Sequence, residues 1–385
     1  MQGPEFDPRL VAYVHGTQVP NGEDLASSVG GSAARLLDAL EAVQPGSTFS
    51  GEAPKPKGGQ RLEALLLEGV ASLESAGLGA ALNAKLETLE GRAQFSMLCK
   101  VLELRPDTAR LKDFELLCAG APELLDDRRS ETQLERALVQ AINAEQVSGR
   151  DALRILPEAA QALAIRAVGD ATDARTLDGL LLLLTSDNPL NSVVLSAIGT
   201  LSRFADREQR LNAVRSVLYH LQSSWSESEK QTTIACLARM GDDYAVARLI
   251  PLLESENTGT RKTVHRALRT LTKLNYPESV EHWGRWLEQE NAWLVERAPQ
   301  YLRELDSSDP ATAVAAVQAL AARQLHRAEL AEELVRALSH ESPAVRFQAC
   351  IAHQRLGQRS SIAPLERLLN DPDANTQAAA KRAVA

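Results

Sequence analysis

The chain has 385 residues and a formal charge of −9, with 44% apolar and only 4% aromatic residues. Sequence-independent nucleic-acid binding needs a surplus of cations to displace counterions, so this balance argues against it. The charge is uneven: residues 1–170 hold 17 Lys+Arg against 25 Asp+Glu, and residues 171–385 hold 25 against 26. No early stretch joins a basic start to an apolar run and a cleavage site, and no apolar span of about 20 residues exists. A soluble, cytoplasmic protein is expected. Cys99, Cys118, Cys236 and Cys350 are far apart, lack zinc-finger or CxxC spacing, and read as buried thiols.

Taken in order, residues 7–22 hold one short apolar stretch, too short to assign. Leu36, Leu37, Leu40 and Val43 have helical spacing. Residues 44–60 carry Pro45, Pro54, Pro56 and four glycines with hardly an apolar residue, the composition of a flexible linker. From Arg61 helix follows helix, over about 61–76, 78–90, 92–104, 107–119, 131–146 and 150–168, with proline punctuation at 106, 122 and 157. Gly77 and Gly79 read as a helix stop and restart.

From Thr176 the pattern sharpens. A leucine-rich helix ends in an acidic or polar turn and a second helix follows, as in Leu252-Leu253-Glu254-Ser255-Glu256-Asn257 and again around Leu184, Leu287, Leu338 and Leu369. Closing leucines at 184, 218, 253 and 287 recur every 34 or 35 residues. Such a period means stacked helical hairpins that bury their apolar faces only against neighbours. The expected hairpins are 173–185/190–203, 206–222/227–240, 243–255/258–273, 277–289/291–305, a lone helix 309–323, then 327–339/343–356 and 360–370/373–385.

Pro343-Ala344-Val345-Arg346-Phe347-Gln348-Ala349-Cys350, followed by Leu356-Gly357, resembles the second helix of a HEAT repeat. Pro364 to Asp373 resembles the preceding helix and turn of the next one. The resemblance runs from Thr176 to the end and implies an all-α fold: a right-handed α-solenoid of HEAT-type hairpins with a less regular helical N-terminal part. The expected organisation is an N-terminal segment with one helix (1–43), a linker (44–60), an irregular helical region (61–170) and the solenoid (171–385). Thr260-Arg261 and the stretch Asn291 to Val295 depart from the Val-Arg pattern of the family.

HEAT arrays mostly serve as scaffolds, so the resemblance implies a non-enzymatic protein–protein adaptor without a cofactor. His340-Glu341 begins like HExxH, but position 344 is Ala344, and no other metal, nucleophile or dinucleotide motif is complete. Two anomalies remain. Trp283, Trp286 and Trp293 cluster beside Tyr276 and Tyr301, which reads either as an irregular core or as a partner pocket. In the helix 258–273, Arg261, Lys262, Arg266, Arg269 and Lys273 occur with no acid among them, joined by His265. Lys262, Arg266, Arg269 and Lys273 fall at i, i+4, i+7 and i+11 and make one stripe. Its plain reading is a solvated face neutralised by acids on adjacent helices. Its functional reading is a surface for an acidic segment of a protein or peptide partner, with Trp283 and Trp286 as apolar anchors. The enzymatic alternatives are a HEAT-like DNA glycosylase, in which the tryptophans, Asp306 and Asp309 would form the site, and a bilin-lyase-like HEAT protein.

Overall fold

A computed structural model of the protein describes residues 33–44, 56–120, 122–221, 226–357 and 361–384, and among these it contains helices and turns but no strand. The chain divides into two units, residues 1–197 and 198–385.

In the first unit, α1 (Ala33–Ala42) packs on α2 (Pro56–Ala71), α3 (Ser75–Glu87) and α4 (Gly91–Leu104). Two boundaries differ from the sequence reading. Helix α2 begins at Pro56, inside the stretch expected as linker, while 45–55 lie outside the described residues. Gly77 and Gly79 sit within the start of α3 rather than at a helix stop. The stop lies earlier, where the Arg105 guanidinium donates to the carbonyls of Val70, Ala71 and Leu73 and so satisfies the orphan carbonyls that end α2. Gln44 is buried rather than exposed in a linker: its side-chain oxygen accepts from Ser96 and Lys100, and its amide donates to the Leu40 carbonyl.

Next come α5 (Leu111–Gly120), α6 (Arg128–Asn143), α7 (Gly149–Ile155), α8 (Gln161–Asp170), α9 (Leu177–Leu182) and α10 (Asn191–Leu201). Helix α4 packs on α6 and α6 on α8. Arg166 of α8 ties this row together by pairing with Glu131 and Glu135 of α6. Gly169 is required here, because a Cβ on it would lie 2.6 Å from the Cα of Ala197.

The second unit holds α11 (Arg207–Leu221), α12 (Glu227–Met240), α13 (Val246–Leu249), α14 (Thr258–Thr272), α15 (Val280–Glu296), α16 (Ala298–Glu304), α17 (Pro310–Ala321), α18 (Arg327–Leu334), α19 (Pro343–Leu356), α20 (Ile362–Glu366) and α21 (Ala374–Val384). Three first helices of hairpins tighten into 3-10 turns, at Ile250–Glu254, Val335–Ser339 and Arg367–Asn370. Helix α12 packs on α14, α17 on α19, and α19 on α21. The fold is therefore an all-α solenoid of stacked hairpins, as the period implies.

One expected turn is absent. Helix α15 runs unbroken through Gln289-Glu290-Asn291 and ends only at Glu296, before Ala298-Pro299 opens α16. Gln289 and Asn291 there mark not a turn but an exposed helical face, while the Glu290 side chain is largely covered and engaged by Arg323 at 3.2 Å. Trp293 stacks on Tyr301 with Arg323 lying over its ring, which holds the late part of α15 against α16.

The departure at Thr260-Arg261 is smaller than the sequence suggests. Arg346 donates through one nitrogen to the carbonyls of His340 and Glu341, and through its other nitrogens to both oxygens of Asp371 at 2.8 and 2.9 Å. Arg261 makes the same fork, to the carbonyls of Ser255 and Glu256 and then to Glu278 at 3.2 Å. Thr260, 3% exposed, fills the place of Val345 and donates its hydroxyl to Glu227. The arginine that bridges its own turn to an acid further along the chain is thus kept, with threonine in place of valine before it.

Candidate functional site

Helix α14 is amphipathic because its apolar residues recur at helical spacing. Val264, Ala267, Leu268 and Leu271 are buried, and Asn257 caps the N-terminus by accepting from the Thr260 amide. That register leaves Lys262, Arg266, Arg269 and Lys273 exposed. Among the described residues none of the four has a side-chain hydrogen bond or an ion pair, so the neutralising acids of the plain reading are not found there. The other two basic residues of the helix turn away. Arg261 is spent on the turn carbonyls and Glu278, and the His265 Nε2–H donates to the Tyr276 carbonyl at 2.7 Å. Lys273 ends the helix in the left-handed region at φ 62°, a conformation glycine adopts more readily.

Two cavities open beside the stripe. One, of about 480 Å³, lies between α12, α14 and the first residue of α18, lined by Ala235, Ala238, Ala267 and Leu271 with Arg239, Arg266, Lys273 and Arg327. The other, of about 440 Å³, is bounded by Arg266, Arg269, Lys273 and Asn275. Neither lining contains a carboxylate. Arg327 comes from a hairpin much later in the chain. Its amide donates to Asp243 at 3.1 Å and its guanidinium to the carbonyls of Arg355 and Leu356.

The tryptophans are not part of this surface. Trp283 is fully buried and Trp286 is 6% exposed. Trp283 meets Tyr276 and Trp286 edge to face, and its indole N–H donates to the Pro277 carbonyl. Their expected role as apolar anchors for a partner is therefore corrected: burial leaves them no face to offer, and they fill the core beneath α15. Asp309 caps α17 through the Ala311 and Thr312 amides, and Asp306 pairs with Arg336. Both acids of the glycosylase alternative thus serve the fold. His340 accepts from the Ser342 amide at Nδ1 and donates from Nε2 to the Ser307 carbonyl, which fixes a turn.

The four cysteines are free and buried. Burial pushes the Cys118 and Cys236 thiols up to about 12 and Cys350 to about 11, so they remain protonated packing groups. Among the described residues no group of His, Cys, Asp and Glu is placed to hold a metal ion, and no helix is long and apolar enough to cross a membrane.

Sequence reasoning missed Arg239 and Arg327, which share a cavity with α14 although Arg239 lies 24 residues before Thr263 and Arg327 lies 54 residues after Lys273. Local spacing carries no signal for such a meeting. Residues 298–385 match the family model described as HEAT repeats. No curated protein matches the chain.

Proposed function

We propose that this chain, whose residues 298–385 are HEAT repeats, is a non-enzymatic protein-interaction module that holds an acidic segment of a partner protein against α14. The observation that supports it is the stripe itself: four exposed cations on one helix face, none paired with an acid among the described residues. Leaving like charges together and unneutralised costs stability, and an acidic partner relieves that cost with charge-assisted hydrogen bonds. HEAT repeats commonly mediate protein–protein interaction, and their stacked second helices offer an extended surface suited to it.

The test is binding of a labelled glutamate-rich peptide to wild type and to the double reversal Arg266→Glu/Arg269→Glu. Binding should weaken by more than about tenfold, because each charge-assisted contact is worth on the order of 1.5–3 kcal/mol. Helical content and Tm should stay close to wild type, since Val264, Leu268 and Leu271 still fill the core. Equal binding by both proteins rejects the stripe as the surface. Duplex DNA is the discriminating control: a base-processing enzyme should bind it with a steep salt dependence, and an acidic-segment module should not.

A further inference from the structure

The α14 stripe and the cavity beside it are not the same set of residues, and the difference carries information. Arg266 and Lys273 of the stripe line the 480 Å³ cavity, whereas Lys262 and Arg269 do not. In their place the cavity gains Arg239 from α12 and Arg327 from α18, whose Nη2 is held by the Arg355 and Leu356 carbonyls so that its charge, rather than that nitrogen, faces the space. Four cationic side chains from three separate elements therefore surround one space whose lining has no acid. Apart from Leu271, the rest of the lining is small or hydroxylic: Ala235, Ala238, Gly241, Ala267, Thr263 and Thr270. Such a floor admits a peptide backbone closely and offers no competing side chain. Both threonine hydroxyls already donate to backbone carbonyls of α14, at 2.8 and 2.9 Å, so neither has a hydrogen left to give an anion, and recognition falls to the cations.

A single carboxylate brings one charge and two oxygens to a space ringed by four cations. A phosphoryl group brings a charge of about −1.5 to −2 and three acceptor oxygens, enough to engage donors arriving from several directions. Guanidinium groups suit it, because their planar forks bind its oxygens in pairs. The acidic balance of the whole chain, −9, opposes long polyanions such as nucleic acid while leaving a local cationic pocket open to a short one. We propose that the cavity between α12, α14 and the start of α18 is a phosphoresidue pocket, seating a phosphoserine or phosphothreonine of a partner protein.

This rests on the reading of α14 as a partner surface and makes it specific: the pocket cations, not the stripe as a whole, decide binding. Immobilised full-length protein is exposed to degenerate peptide libraries with a fixed central phosphoserine, serine or glutamate. The phosphoserine library should be retained at least about tenfold more than the serine library and clearly above the glutamate library, the difference of one further charge-assisted contact. Two variants of equal charge loss then separate pocket from stripe. Arg266→Gln/Lys273→Gln should abolish the preference for phosphate, whereas Lys262→Gln/Arg269→Gln should keep it. Glutamate and phosphoserine libraries retained equally, with both variants equally weakened, would overturn the pocket and leave the acidic-segment surface standing. No retention of any library would remove both readings. Displacement of the phosphoserine library by duplex DNA, at equal charge concentration, would instead mark a nucleic-acid surface and also overturn the pocket.

Discussion

At the scale of single residues, buried charge is handled in two opposite ways. Arg346 and Asp371 meet in a two-pronged pair whose side chains are 12% and 3% exposed, and the arginine holds the Asp371 carboxyl below the usual carboxylate range. Removing one partner strands the other away from water, which costs about 3–5 kcal/mol for a buried pair. Arg346→Ala should therefore unfold at markedly lower denaturant than wild type, and Arg261→Ala, whose Glu278 is a third exposed, should lose clearly less. Equal losses in urea melts would refute the distinction. Asp243 is the opposite case, since burial pushes its carboxyl up to about 6 while it accepts the Arg327 amide. An unfolded aspartate titrates near 3.9, so between about pH 4 and pH 6 the folded protein holds a proton that the unfolded chain has released. Stability from this group is thus present at acid pH and falls as pH rises through that window, by about 3 kcal/mol at most. Asp243→Asn keeps the acceptor without the charge. Its Tm should exceed that of wild type at about pH 7.5, and the gap should close near pH 4. A gap that does not change with pH would rule out the titration of Asp243 as its source.

At the scale of elements, α14 and α15 show how one sequence signal splits into two fates. Both helices display a conspicuous side-chain cluster, cations on α14 and tryptophans on α15. The cations stay outside because α14 has a separate apolar stripe to bury, while α15 buries Trp283 and Trp286 themselves. Trp283→Ala should destabilise the protein by about 3–5 kcal/mol through the cavity it leaves, without selective loss of peptide binding by the folded protein. Chemical denaturation and peptide retention, measured on the same sample, check both halves. Unchanged stability would mean that Trp283 does not fill this core. At the end of α14, Lys273→Gly should relieve the left-handed strain and raise stability by up to about 1 kcal/mol, at the cost of one pocket cation.

At the scale of the whole molecule, the second unit is more than a one-dimensional stack. In a simple repeat array each hairpin contacts only its neighbours, and stability is a sum of local terms. Here Arg207 of α11 pairs with Glu329 and Glu332 of α18, and Asp243 accepts the Arg327 amide, links spanning 84 to 125 residues. The ion pairs are half exposed and individually weak, worth under about 1 kcal/mol each. Their effect is on coupling: α11 and α18 should open together. In hydrogen-exchange mass spectrometry, Arg207→Ala should raise exchange in both helices by similar factors, whereas independent hairpins would show a change in α11 alone.

The period of the closing leucines, the capping residues and the alternation of helix and turn determined the all-α repeat architecture, and they did so because those signals are local. A helix face, an N-cap and a turn are each settled by residues within about two helical turns. The stripe Lys262, Arg266, Arg269 and Lys273 was legible for the same reason. Tertiary structure alone decided that α15 continues through Glu290, that Trp283 is core and not contact surface, and that Arg261 repeats the fork of Arg346. It also brought Arg239 and Arg327 to the stripe. The pairs Glu290–Arg323 and Arg261–Glu278 and the meeting of Arg327 with α14 join residues 17 or more apart in sequence, and burial, ion pairing and cavity lining are set by which surfaces meet rather than by spacing along the chain.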